Sequence, residues 1–581
     1  MNEFVPEKKL PVSAKSFAQF IKQNLLYIDK TEYIYLLAKD FQPRFLSRPR
    51  RFGKSTLVST LKELFEHGTK PYDEHPSLFK GLKIEKLWTD PKVYPVIHLD
   101  FSNIIGESTT VSDFQLNFSQ LMSHYARILQ VDLPPEATTG FKKFECILQT
   151  VSDNSLVVLI DEYDAPVIYF LNRGSQQEYE SLIATLRAVY RAIKNYGEKL
   201  RFTFITGITR YKDVYLLTEG NSIIDISLDP RFSAICGYTR EEIREGFNDY
   251  LVQAAMQWFN LTYAEATASP LYVEKVLDEM ACWYDGYCFD DECSMRVFST
   301  WSVLKFFESG RYMLDTYWYN TAGLPSLIIK ALFKSDYDAV IEKLDNNKEI
   351  VISKESFINP SSLDRMKSSV LLYQTGYLTL GRPFAGHRNT AEISRSWVTL
   401  KFPNFELRQA FFNGLSEVLL SRHDAPGISE DGEKLQEAIR QRNTEQFMEI
   451  LNLYFRDLDH EAEPISSEGT FSAILYIFLK NLLCIQVISN KHQFSGKPDL
   501  SFECAGTTVI IENKFVPRMS DASKRESALR KAGFAASEQI HARKYGETAS
   551  SQSSLWRLGI VYDGFAREIA CCTDADKPYS A

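Results

Sequence analysis

Gly53-Lys54-Ser55, set between a short apolar run and an amphipathic stretch, constrains this chain more than any other feature of its sequence. The wider segment reads Phe45-Leu-Ser-Arg-Pro-Arg-Arg-Phe-Gly-Lys-Ser-Thr56. A strand that turns through such a loop into a helix aims backbone N–H groups and the positive end of the helix dipole at one point, where phosphate can sit. Lys54 is placed to neutralise β and γ phosphates, and the Ser55 hydroxyl to ligate Mg²⁺. Gly53 and Thr56 complete the cradle, and Arg50 and Arg51 add positive charge to it. The first glycine usual in such loops is replaced by Arg48. Taken alone, the segment also fits a basic loop capping an ordinary helix.

A second element, Leu156-Val-Val-Leu-Ile-Asp-Glu-Tyr-Asp164, narrows the choice. An apolar run followed by two acids reads as a buried parallel strand that delivers carboxylates at its C-terminal edge, where ligands of α/β sheets bind. Asp161 is the candidate for the Mg²⁺ shell, and Glu162 for orienting or deprotonating the attacking water. A third strand, Phe202-Thr-Phe-Ile-Thr-Gly-Ile-Thr-Arg210, ends in polar residues, so Thr206, Thr209 or Arg210 is a candidate γ-phosphate sensor. A plain strand-end turn at Gly207 fits the same text. Together with Pro95–Phe101, these runs alternate with helical stretches as in a mostly parallel sheet.

The chain has 581 residues. Single cores stop growing near roughly 250–300 residues, so two or three domains are expected. Composition shifts place them at 1–235, 236–460 and 461–581, the middle one mostly helical. Ser369–Leu380 reads as a β-like patch and Asp424–Glu433 as an exposed loop. A net charge of −9 argues against wholesale coating of nucleic acid but leaves room for a local basic groove. The nine cysteines include no CxxC pair, and Cys282, Cys288 and Cys293 lack the partner histidine spacing of a metal module. No signal peptide is read at the N-terminus, and Phe471–Ile488 reads as a core helix entering a strand, so a cytoplasmic location without membrane contact is expected.

Beyond Pro464 the order is helix, three strands, helix, strand. A turn at Ala505-Gly506 separates Asp499 from Thr507-Thr-Val-Ile-Ile-Glu-Asn-Lys514. Residues two apart share a strand face, so Glu512 and Lys514 point the same way, and Asp499 reaches that face across the hairpin. Asp499 and Glu512 are thereby candidate ligands for Mg²⁺ or Mn²⁺ against a phosphodiester, with Lys514 orienting water or stabilising the transition state. A solvated strand carrying acid-x-Lys fits as well. The helix Ala528–Tyr545 offers Arg530, Lys531, Gln539, Arg543 and Lys544, either to track phosphates or as a solvated face.

These stretches resemble, in order and spacing, the AAA-ATPase-like proteins that carry a C-terminal PD-(D/E)XK nuclease-like domain. The resemblance includes Tyr27-Ile-Asp-Lys-Thr31, Trp283-Tyr-Asp-Gly-Tyr287, Thr375-Gly-Tyr-Leu-Thr379 and Phe402-Pro-Asn404. It implies an α/β protein: a P-loop, AAA-like parallel-sheet ATPase domain, a helical lid or linker, and a nuclease-like α/β domain. It also implies ATP binding by Lys54 and Ser55, an acidic pair at Asp161 and Glu162, Arg48 as a family habit, and Glu468 as a further acid. Gln539 and Tyr545 are similar to a supporting motif. Where the family often shows Ser-Glu, this chain has Ser489-Asn490. The functional expectation is an ATP-binding, ATP-hydrolysing protein whose metal-dependent C-terminal domain cuts nucleic acid. The alternative is an ATP-controlled switch with a degenerate nuclease fold. The third reading is a host-directed or defence protein that uses the ATPase core to assemble a homo-oligomer, with Arg210 or Arg231 serving a neighbour's phosphate.

Overall fold

The computed structural model describes residues 6–14, 16–72, 75–106, 108–173, 175–210, 223–318, 348–358, 360, 366–383, 397–420, 428–456, 458, 465, 467–483, 487–489, 498–542 and 554–577. Two compact units are formed, one of Met1–Ala322 with Val351–Arg408, the other of Gly323–Ile350 with Gln409–Ala581.

The first unit is built on a parallel sheet. Its members are β1 (Arg44–Ser47), β2 (Val96–Asp100), β3 (Leu156–Asp161), β4 (Leu200–Gly207) and β5 (Ile224–Asp225), in the order β2–β3–β4–β1–β5. Every residue of β3 and of β4 is buried, which is why both read as unbroken apolar runs instead of alternating ones. Helix α1 (Lys54–His67) follows the loop after β1; Leu57, Val58, Leu61, Leu64 and Phe65 form its buried stripe, and Gly68, at φ +68°, ends it. Helices α2 (Asn248–Phe259), α3 (Pro270–Tyr284) and α4 (Thr300–Glu308) enclose a second core around Leu251, Leu277, Met280 and Phe306. A small sheet of β6 (Ile350–Ser353), β7 (Thr379–Leu380) and β8 (Trp397–Lys401) runs in the order β6–β8–β7.

The expected β-like patch at Ser369–Leu380 is corrected: Ser368–Thr375 is helix α5 and only Thr379–Leu380 is strand. The helix is buried nearly all round, so it lacks the amphipathic stripe that marks a helix in sequence.

The second unit contains α6 (Ile428–Gln441), α7 (Thr444–Arg456), α8 (Glu468–Leu483), β9 (Val487–Ser489), β10 (Leu500–Cys504), β11 (Thr507–Val516), α9 (Ala522–Ala542), β12 (Ser554–Asp563) and β13 (Glu568–Asp574). The sheet order is β13–β12–β11–β10–β9, with β11 and β12 parallel and the other pairs antiparallel. Three sequence expectations change here. Residues 428–433 of the expected loop start α6, whose acids Glu430 and Asp431 sit in the first turn and suit its dipole; residues 424–427 lie outside the described residues. The helix expected at Ala528–Tyr545 begins earlier and is described as far as Ala542, leaving Arg543, Lys544 and Tyr545 outside the described residues. A further strand, β13, follows β12. The core helix running into a strand at Phe471–Ile488 matches α8 and β9.

Candidate nucleotide site and a carboxylate–lysine cluster

The loop between β1 and α1 is pinned by its carbonyl oxygens. Lys54 Nζ donates to the Pro49 carbonyl at 2.9 Å, the Trp318 indole to Arg50 at 3.4 Å, the Thr300 hydroxyl to Arg51, and the Gly237 amide to Phe52 at 3.4 Å. In a trans peptide the following N–H points opposite to the carbonyl, so amides 50–53 face the other way. Gly53 takes φ +89°, and a Cβ there would meet nothing within 4 Å, so the loop borders open space. Helix α1 starts without a side-chain cap. Its first amides and the loop amides together make a concavity for an anion.

Arg48, in the place of the usual first glycine, is 1% exposed. Its guanidinium donates to the carbonyls of Ser47 (2.9 Å), Ser227 (2.8 Å) and Phe232 (3.1 Å) and lies 4.5 Å from the Phe289 ring centre. It ties loop to core and offers no charge to the concavity. Arg50 and Arg51 are exposed, with Arg51 stacked 4.1 Å over Trp301.

Asp161 ends β3 beside α1, close enough to Ser55 and Lys54 for both to act on its carboxyl. Burial pushes its carboxyl up to about 6, against the pull of Ser55 and Lys54. Burial also lowers Lys54, while the neighbouring Asp161 and Glu162 oppose that shift. Glu162 is half-buried in the left-handed region, φ +50°, with its amide on Asp161 Oδ1 at 2.9 Å. The structure thus brings Lys54, Ser55, Asp161 and Glu162 together, and the Ser55–Asp161 contact fits a magnesium-bearing phosphate group. Thr206 and Arg210 are engaged elsewhere: the Thr206 hydroxyl donates to Leu46 O at 2.7 Å, and Arg210 pairs with Asp225 at 2.5 Å. Asp164 has a role that its place in the motif does not announce: it accepts from the Ile208 and Thr209 amides and the Thr209 hydroxyl and so locks the β4 exit to β3. It stood inside the acidic motif; its partners only the fold could supply. Arg231, exposed, is held in a fork by Asp229.

A cavity of about 450 Å³ adjoins Gly53 and Thr56. Its walls include Pro11, Tyr27, Ile28, Tyr238 and Trp301, a mostly apolar and aromatic lining. Nothing in the sequence marks these scattered positions as one wall.

In the second unit, β10 pairs with β11 so that Leu500 faces Ile511, which sets Asp499 opposite Glu512. Asp499 Oδ2 accepts the Asn513 amide at 2.7 Å, and Lys514 Nζ lies 3.2 Å from Glu512 and 3.3 Å from Glu468. The sequence-predicted acids Glu468, Asp499 and Glu512 and the lysine therefore meet where the start of α8 reaches the interior strands β10 and β11. Burial, reinforced by Asp499, raises Glu512 to about 7 even with Lys514 beside it. Burial likewise raises Asp499. It would lower Lys514, but Glu512 and Glu468 outweigh it and hold that ammonium charged. Glu512 Oε2 is buried without a hydrogen-bond partner, and an orphaned carboxylate oxygen of this kind fits a divalent cation. Among the described residues, no group of three or more His, Cys, Asp or Glu side chains is set to hold a metal. Asn490 lies outside the described residues, and Gln539 and the exposed Arg530 and Lys531 stand on α9.

The loop, the acid pair and the parallel five-strand sheet form an α/β domain consistent with a P-loop, AAA-like arrangement. The family model described as predicted AAA-ATPase matches residues 11–216, a span that holds β1 to β4 and both acids. Over 536 residues the chain is 25% identical to an uncharacterized protein in the vnfD 5′ region of Azotobacter chroococcum mcd 1, covering 91% of this chain and 93% of that one. Among solved structures, Cdc6p from Pyrobaculum aerophilum overlaps 72% of this chain and 97% of its own, at 12% identity and a TM-score of 0.20. Among the described residues no helix is long and apolar enough to cross a membrane.

Proposed function

We propose that this protein binds and hydrolyses ATP at the head of α1, and that its second unit uses Asp499, Glu512 and Lys514 for metal-dependent cleavage of nucleic acid. The ATPase half is carried by one observation: Lys54, Ser55 and Asp161 meet at an uncapped helix N-terminus that borders an apolar cavity. The amides of residues 53–56 receive the phosphates, Lys54 exchanges the Pro49 carbonyl for phosphate oxygen, and the cavity takes the nucleoside. Ser55 and Asp161 hold Mg²⁺, which supplies positive charge to the phosphate oxygens. Glu162 orients water for attack. Lys54→Ala abolishes ATP binding measured by calorimetry, and unchanged affinity overturns the assignment. Glu162→Gln slows turnover and spares binding; equal turnover removes Glu162 from the water-positioning role.

The nuclease half rests on the register that sets Asp499 against Glu512 and on the orphaned Glu512 oxygen. Asp499 and Glu512 hold Mg²⁺ or Mn²⁺, which polarises a phosphodiester. Lys514 holds a water or the developing charge. Labelled DNA and RNA with either cation, with and without ATP, decide the matter against Asp499→Ala. Cation-dependent cutting absent from the variant supports the reading. No cutting under any condition overturns it and favours a second reading, a nucleotide-controlled switch whose second unit binds without cutting. One observation supports that second reading: Lys514 already places a positive charge between Glu512 and Glu468.

A further inference from the structure

We propose that Thr300 and Trp318 are positioning residues of the phosphate loop, through which the aromatic middle segment of the first unit sets nucleotide affinity. The proposal rests on the ATP-binding reading and adds what holds the loop in its binding shape. The loop lacks the first glycine of its kind, and Arg48 anchors its base from within the core. Its tip is held by side chains, where Thr300, itself in the cavity wall, fixes the Arg51 carbonyl and Trp318 the Arg50 carbonyl. Each contact turns the next amide toward the concavity, so removing either one frees a peptide plane that phosphate needs oriented.

Both residues are themselves fixed. Thr300 opens α4, whose preceding Ser299 caps the helix. Trp318 is buried; its amide donates to Glu406 Oε1 at 2.7 Å, and the other oxygen of Glu406 accepts from Ser302 on α4 at 2.7 Å. The Trp318 ring lies edge-on to Tyr377 at 5.2 Å, and the adjacent Gly376 presses on Pro49 of the loop. Tyr287 and Phe289 pack on Phe52 at 4.7 and 5.2 Å. The motifs around residues 283–289 and 375–379 thus converge on the loop.

The test uses the full chain and calorimetric titration with ATP and with adenosine. Thr300→Val removes one donor and keeps the bulk; Trp318→Phe removes the other donor together with part of a buried ring. Each is expected to weaken ATP about threefold to tenfold, the worth of one net hydrogen bond, and to weaken adenosine less than ATP, since Thr300 touches the nucleoside cavity while the loop amides serve the phosphates. Thr300→Ser, which keeps the hydroxyl, retains wild-type affinity. Unchanged ATP affinity in Thr300→Val overturns the proposal, as does a parallel loss for ATP and adenosine, since a merely structural role lowers both. Thr300→Val is the milder change and decides the case if Trp318→Phe unfolds. A wild-type chain that binds no ATP overturns the nucleotide reading itself, a result separable from all of these.

Discussion

At the scale of single residues, Arg48 shows how a departure from a motif can be structural. A glycine there would leave the Ser227 and Phe232 carbonyls, both in buried surroundings, without their guanidinium donor. Arg48→Gly, which restores the usual motif, is therefore expected to destabilise the protein by about 2–4 kcal/mol in urea unfolding. Equal or greater stability would mean that the arginine is not an anchor. Glu406 carries a pH prediction. Burial raises its carboxyl from 4.5 to about 8, against the hydrogen bonds from Trp318 and Ser302. The folded state keeps that proton while the unfolded chain releases it, so this contribution to stability is full below about pH 4.5 and is lost as pH rises through about 8. Glu406→Gln removes the titration, and its stability relative to wild type should rise steadily between pH 5 and about 8 in urea midpoints. A pH-independent difference would show that Glu406 is already ionised in the fold.

At the scale of elements, turns that only glycine can make decide how segments meet. Gly286, at φ +101°, would place a Cβ 2.1 Å from the Pro403 carbonyl, and Asn404 Nδ2 donates to Asp285 O at 2.8 Å beside it. Gly286→Ala must strain the backbone and part the two segments, so a loss of about 2–4 kcal/mol is expected by thermal or urea unfolding. A loss below about 1 kcal/mol would show that the contact yields freely. This contact joins two motifs that the sequence displayed but could not pair. What the sequence did display were elements whose burial writes its own pattern: β3 as an apolar run ending in Asp161, β11 as Val509-Ile-Ile511 ahead of Glu512, and α1 as a stripe behind Gly53-Lys54-Ser55. It concealed α5, buried on almost every side, and the start of α6, whose acids and Gly432 resemble a loop. The candidate sites divide in the same way. Lys54, Ser55, Asp161, Asp499, Glu512 and Lys514 sit on short-range patterns. Thr300, Trp318 and the cavity wall are joined only by tertiary contacts, which leave no local signature.

At the scale of the whole molecule, the chain carries two chemically distinct centres, each on its own sheet. The concavity at α1 is built from backbone amides and a lysine, which suits a polyanion. The cluster at β10 and β11 is built from buried carboxylates, one with an orphaned oxygen, which suits a divalent cation. If each centre owes its affinity to the unit that holds it, their ligands can be removed one at a time. Lys54→Ala should lose ATP binding in calorimetry while keeping Mn²⁺ binding in the absence of nucleotide. Asp499→Ala should do the reverse, with ATP turnover within about twofold of wild type, since changes at independent sites act separately. Cleavage of nucleic acid is the more informative readout. If ATP only accompanies the cutting centre, Lys54→Ala still cuts; if nucleotide gates it, Lys54→Ala binds Mn²⁺ normally and cuts nothing. Loss of Mn²⁺ binding in Lys54→Ala would contradict the assignment of each ligand to a separate unit, because Lys54 and the carboxylates would then belong to one cooperative site.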